Sequence, residues 1–404
     1  MESPTTERPS TERPVTAPPT PEPPASTSEV MEAPSHPPPA PTAFDEAAGA
    51  EEERAKGAPV APAAKRTPTH QGVAYGIDVG VLNRQEKFVG LVQLALYANE
   101  PLRAYSALLL GVGNAPEHFV GAAEVALVLN GNESFRGGIA VSPFNMMHDF
   151  RGLSQVSVFA GETRSFKGVL SLAGGYYSAL DFVGGLHVAL VTESKRFTGL
   201  AQLGAVNLGS YGEIGSKAKP DVDFVGLVQG GLYNAHGGTF RGMVQVGVIN
   251  RGAWLQTGAQ VGLWNGAEAE GFEGGLQVGL LNRARDRFAG AAQVGVGNLV
   301  DENFEGAFQV AVVVNRVGKA FAGAAQVAPI NLVEAIQGAQ VGAFNLSSSQ
   351  QGLQAGVVNV GGEMRGVQVG LVNHARRLRG LQLGLLNLSG DGGLPFVPVL
   401  NLGL

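Results

Sequence analysis

The side chains best suited to proton transfer or metal binding are seven histidines, His36, His70, His118, His148, His187, His236 and His374. They are scattered singly, and none forms a HExxH or paired-ligand spacing. Most fall in turns or in the N-terminal segment, where a histidine is ordinarily solvated. There is no cysteine, which excludes disulfides, thiolate nucleophiles and thiolate metal sites. No GxSxG or SxxK sets a serine beside a base, and no GxxxxGK[ST] loop is present to cradle phosphates. No catalytic, cofactor or metal site is therefore assigned, and the expectation is a protein that is not an enzyme.

What does recur is an amide. The stretch FRGMVQVGVIN at 240–250 returns as FEGGLQVGLLN at 272–282 and as RGLQLGLLN from 379. Aligned on the glutamine, the repeats give a polar column at Asp78, Gln93, Glu124, Gln155, His187, Gln202, Gln229, Gln245, Gln260, Gln277, Gln293, Gln309, Gln326, Gln340, Gln354, Gln368 and Gln382. Leu109, Ala140, Ser171 and, at the chain end, Phe396 fill the remaining places. Steps run from 14 to 17 residues, with a single step of 27 between Gln202 and Gln229 whose extra residues, LGSYGEIGSKAKPDVD, read as a long loop or a degenerate unit. His187, Asp78 and Glu124 read as polar substitutes within the column, with a pH-responsive or charged pore constriction as the rarer alternative.

The elements that carry the column are strands. Side chains alternate within each unit, and four to six turn-forming residues such as RQEK or RARDR separate the units. Glycine inside strands marks crowded or closely approached backbone. The first 70 residues differ, holding sixteen of the 23 prolines. So little apolar surface cannot offset chain entropy, and a disordered tail over 1–70 followed by one repeat-built β domain over 71–404 is expected. The tail's 6 basic and 11 acidic residues (6 − 11 = −5) account for most of the net charge of −6. An almost neutral body offers no basic patch for nucleic acid. The basic turns at Arg283, Arg285 and Arg287, and at Arg376, Arg377 and Arg379, read as solvated loops.

Two all-β architectures accommodate the repeat. An antiparallel meander of about 20 strands closed as a barrel hides its edges and sets the phenylalanines that begin the strands into two aromatic bands, as a transmembrane barrel requires. In it the Gln and Gly face lines the interior while Val246, Val278 and Val310 face lipid. The alternative is a β-solenoid of about 20 coils, with Gln and Asn stacked as ladders about 4.8 Å apart. The near-alternating early steps of 15 and 16 and the phenylalanine rhythm favour the barrel. Pro143 and Pro329 inside strands, the shortage of Tyr and Trp, and an N-terminus without the pattern of an export signal count against it.

GLQVGLLN, GVQVGLVN and GLQLGLLN, together with the terminal LPFVPVLNLGL, resemble the bacterial surface-repeat proteins built from tandem GLQxGLxN units. The resemblance covers the body and weakens before Gln202. It implies a bacterial outer-membrane or cell-surface protein without catalytic residues. The expected function is a structural or pore-forming barrel that has membrane lipid as its partner and the outer-membrane insertion machinery as its route, with no small-molecule substrate. Its alternative is a soluble or peripheral solenoid scaffold for protein or polysaccharide.

Overall fold

A computed structural model describes residues 72–209, 222–390 and 396–403. The expected tail over 1–70 lies outside the described residues, and residues 67–404 form one compact unit.

The coil between Val222 and Asn234 explains the architecture. Strands Val222–Val225 and Val228–Gly230 and the strand Tyr233–Val246 follow one another, separated by bends at Gly226–Leu227 and Gly231–Leu232. Phe224, Gln229 and Asn234 are five residues apart, an odd spacing that would put neighbours on opposite faces of one straight strand. The bends reset the alternation, so all three point inward and all three are fully buried. Each coil is thus a small triangle: a Phe side, a Gln side and an Asn side.

Successive coils pair in parallel and in register. Gln229 lies beside Gln202 on one side and Gln245 on the other, Asn250 beside Asn265, and Phe288 beside Phe304. The fold is therefore a parallel β-solenoid, and the expected antiparallel barrel is wrong. The phenylalanines do not form two bands. They stack into one internal column, with ring centroids 4.4–5.0 Å apart from Phe119 to Phe240 and again from Phe272 to Phe321. Leu255 interrupts the ring stack, Ile336 extends the apolar column, and the buried Gln350, which donates to Gly338 O and Leu353 O, separates it from a second small cluster at Met364 and Leu378. A barrel exposes such rings to lipid; a solenoid buries them.

The step lengths that favoured a barrel have a simpler origin. Early coils place Asn six or five residues after the column in turn, as in Gln93 to Asn99 and Leu109 to Asn114. The one-residue difference is absorbed as register shifts between Ala95 and Ala98 and between Gly111 and Gly113. Such bulges leave the columns on either side aligned. Pro143 also lies in a register shift, between Ser142 and Phe144, and Pro329 lies in a bend. Pro329 gives up the inter-coil bond that Leu263 and Val296 donate from the equivalent place, at 2.9 Å to Val248 O and Leu280 O, a single missing rung at an irregular position. Gln229 is the direct neighbour of Gln202, so the 27-residue step advances the stack by a single coil.

One strand breaks the rule. Phe396–Gly403 pairs antiparallel with the last coil, opposite Gly380–Leu388, and ends the parallel stack.

Candidate functional site: the buried amide columns and the face outside them

A primary amide has two donors and an accepting oxygen, so one residue per coil can bond to the coil below and the coil above. From Gln202 to Gln382 the column does this without a gap. Gln229 Nε2 donates to Gln202 Oε1 at 2.9 Å, Gln245 to Gln229 at 2.8 Å, Gln260 to Gln245 at 2.9 Å and Gln277 to Gln260 at 2.8 Å. Gln293, Gln309, Gln326, Gln340, Gln354, Gln368 and Gln382 continue the series at 2.6–2.9 Å. Every one of these side chains donates toward the N-terminal end.

The unbroken ladder is closed at its C-terminal end and open at Gln202, whose Nε2 has no partner; a separate first pair is closed at the start of the described body. There the Asp78 carboxylate, which can only accept, takes Gln93 Nε2 at 3.0 Å and Gln85 Nε2 at 2.6 Å. At the C-terminal end, Asn401 on the antiparallel strand donates Nδ2 to Gln382 Oε1 at 2.8 Å. A donor on Asn401 thus finishes the acceptor end of the long ladder, while the Asp78 acceptor caps only Gln93.

The asparagine column runs the other way. Asn250 Nδ2 donates to Asn265 Oδ1 at 2.9 Å, and Asn282 to Asn298 at 2.9 Å, each toward the C-terminal end. The second amide hydrogen goes to a main-chain oxygen of the next coil, as from Asn250 to Val261 at 2.8 Å. The two amide stacks therefore oppose their dipoles instead of summing them. The small residue two places after the glutamine follows from this network: a Cβ on Gly247 would come 2.6 Å from Asn234 Nδ2 and 2.7 Å from Asn250 Oδ1.

The column positions are consequently not lumen-facing. Gln93, Gln155, Gln202 and the later glutamines are buried in a packed interior, and Asp78 is half-buried at its end. Substitutes in the early coils leave faults. Leu109 has no donor for Gln93, whose Oε1 is unpartnered. Glu124 sits between Leu109 and Ala140 with a single partner, Asn132 Nδ2 at 2.7 Å, and burial pushes its carboxyl up to about 8 against that hydrogen bond. At His187 burial holds the imidazole down at about 3, and the ring stacks on Phe182. Tyr177 occupies an asparagine place. Its hydroxyl donates to Gln155 Oε1 at 2.5 Å, and its ring fits because the coil below has Gly161, where a Cβ would lie 2.5 Å from that ring. His236, expected in a turn, is buried beside the stacked rings of Phe224 and Phe240, and burial pushes its imidazole down to about 3.

Outside the columns the molecule has two unlike sides. Beyond Asn, charges of opposite sign meet across coils: Arg84 with Glu100 at 2.8 Å, Arg251 with Glu268 at 3.2 Å, Arg283 with Asp301 at 2.8 Å and Lys319 with Glu302 at 2.8 Å. The turn at Arg283 is thus a pairing position as well as a solvated one. Two carboxylates and an imidazole cluster on the same side. Glu117, His118 and Glu133, all exposed, bring their ligating atoms within 4.8 Å of one another beside a cleft of about 430 Å³. Glu117 and Glu133 are one coil apart in the fold and sixteen residues apart in sequence, which is why no local spacing motif signals them.

The Gln side is different. In every window from two residues before the column position to four after it, from Asp78 to Gln382, no Asp, Glu, Lys or Arg occurs except Asp78 and Glu124 in the inward column itself. Outward positions there are Val, Leu, Ile, Met, Ala, Gly, Pro or aromatic, with Ser154 as the polar exception. Val246, one place after Gln245, is 44% exposed, and the corners carry Leu127 at 73% and Leu96 at 70%. A monomer seldom presents a contiguous apolar patch above a few hundred Å². Twenty column positions make nineteen steps of about 4.8 Å, roughly 90 Å of such surface.

No known family, no curated protein and no solved structure matches this chain.

Proposed function

We propose that the protein is a non-enzymatic structural scaffold of the bacterial cell surface, a stiff solenoid that holds one apolar face in a fixed orientation over its length. The observation that carries this reading is the charge-free Gln side, maintained through every coil while the coil length varies. Interior ladders explain glutamine, asparagine and phenylalanine. They do not explain why the outward neighbours of glutamine are apolar, since those side chains contribute nothing to the interior. A surface kept apolar where folding does not demand it is a surface for contact. The GLQxGLxN resemblance supports the bacterial surface as the place.

Stacked coils also suit the role mechanically. Coils bond to their neighbours through main-chain ladders and, from Gln202 onward, through two amide columns as well, so local stability is shared along the stack. In the producing bacterium, the tagged chain should fractionate with the cell envelope and be cleaved by protease added to intact cells. A chain recovered wholly in the soluble cell contents would overturn the proposal.

A further inference from the structure

The chemistry of the Gln side identifies what it touches, and we infer that it lies on a lipid surface, seated peripherally with its apolar corners among the acyl chains. This rests on the scaffold reading and names its partner. Three features select lipid over protein. First, specific protein interfaces carry about one hydrogen bond per 100–200 Å², and this face offers almost no side chain able to make one. Secondly, the apolar surface does not stop at the flat strand around glutamine. It passes over both corners, through Leu91 on one and Leu127 on the other, and continues to the residue before Asn. A second rigid solenoid covers the flat side only, whereas acyl chains follow a ridge.

The borders supply the third feature. At the edge next to the Asn side stand Tyr97 and Trp264, rings with an apolar body and a polar tip, the combination favoured at headgroup depth. At the opposite edge Arg136, Arg151 and Lys167 occupy equivalent, exposed positions four residues before the column in three successive coils. A cationic row beside an apolar face is suited to anionic headgroups. Further along the same edge stand Arg241, Glu273 and Glu305, one cation against two carboxylates, so the attraction is concentrated in the early coils.

The test is flotation of the full chain with large unilamellar vesicles, one set of phosphatidylcholine and one of phosphatidylcholine with phosphatidylglycerol, together with its mass in solution. Flotation with both sets, tighter with phosphatidylglycerol and at least tenfold weaker for the combined Leu96→Asp, Leu127→Asp, Leu232→Asp and Leu385→Asp variant, supports the inference. The same variant must keep its strand circular dichroism, and Lys195→Asp on the charged side serves as the matched control with unchanged flotation. Wild-type chain that stays unbound overturns the inference. If it is then dimeric, the face is covered by a second copy. Envelope fractionation without vesicle binding would leave the scaffold standing and remove lipid as its partner.

Discussion

Replacing Gln245 by leucine tests the interior at one atom pair per side. The side chain donates to Gln229 Oε1 at 2.8 Å and accepts from Gln260 Nε2 at 2.9 Å, with all three residues fully buried. Leucine fills similar space and removes both bonds, leaving one acceptor and one donor without partners away from water. Each such orphan costs about 1–3 kcal/mol, so the two together cost about 2–6 kcal/mol, reduced by the modest gain of burying an apolar side chain. Next to it, Val246 is 44% exposed, and Val246→Thr keeps the β-branched shape, so its cost should stay below about 1 kcal/mol. Urea unfolding at pH 7, with hydrogen exchange at the amides of the 240–265 coils to capture local opening, reads both variants. The order of the two effects is what the reasoning stakes. A destabilising Val246→Thr beside a neutral Gln245→Leu would mean that the valine face is inside and the glutamine column is not.

Further outcomes follow from the same packing. Glu124 is held protonated in the fold, up to about 8 against an ordinary 4.5. Between those values the folded chain binds more protons than the unfolded one, so stability falls as pH rises through that window. Glu124→Gln should flatten the fall, as followed by the urea midpoint from pH 5 to 9. His187 and His236 are held neutral, down to about 3 against an ordinary 6.5. The unfolded chain therefore takes up their protons first, and stability should drop as pH falls below about 6.5, less so in His187→Gln. Gly247→Val must push a Cβ against two asparagine amides and should destabilise by about 1–3 kcal/mol, measured by thermal unfolding. By contrast, Asp301→Asn, which weakens the partly exposed pair with Arg283, should shift stability by less than about 1 kcal/mol.

Much of this fold is legible in the sequence, and one error of topology changes its meaning. The repeat, its strand character and the column at Gln202 to Gln382 are plain because every coil repeats the same chemistry. The direction of pairing is not, because residues such as Phe240 and Gln245 sit on opposite faces of any straight strand. Only the bends at glycine, as at Gly226–Leu227 and Gly231–Leu232, bring both inside, and a bend of two residues leaves no mark beyond a glycine that packing also explains. The same inversion concealed the outer face. With Phe240 and Val246 assigned to one surface, apolar residues read as lipid-facing in a barrel, whereas in the fold the ring is inside and the valine is outside. Pairings across a coil, such as Glu117 with Glu133 or Tyr177 over Gly161, join residues fifteen or more apart and become visible only once the stacking register is known.

The parallel stack itself is open to a single distance. Arg241 Nε donates to Gln256 Oε1 at 2.8 Å on adjacent coils, with both side chains on the outside, and the chain has no native cysteine to interfere. Spin labels on Arg241→Cys and Gln256→Cys should lie within one strand spacing plus the label tethers, giving strong dipolar broadening of the continuous-wave spectrum. In an antiparallel hairpin that pairs Val246 with Val261, position 241 would face 266, ten residues from 256, and the labels would be roughly 30 Å apart. Strong broadening is the result a solenoid requires; sharp, non-interacting spectra with a separation near 30 Å would contradict it.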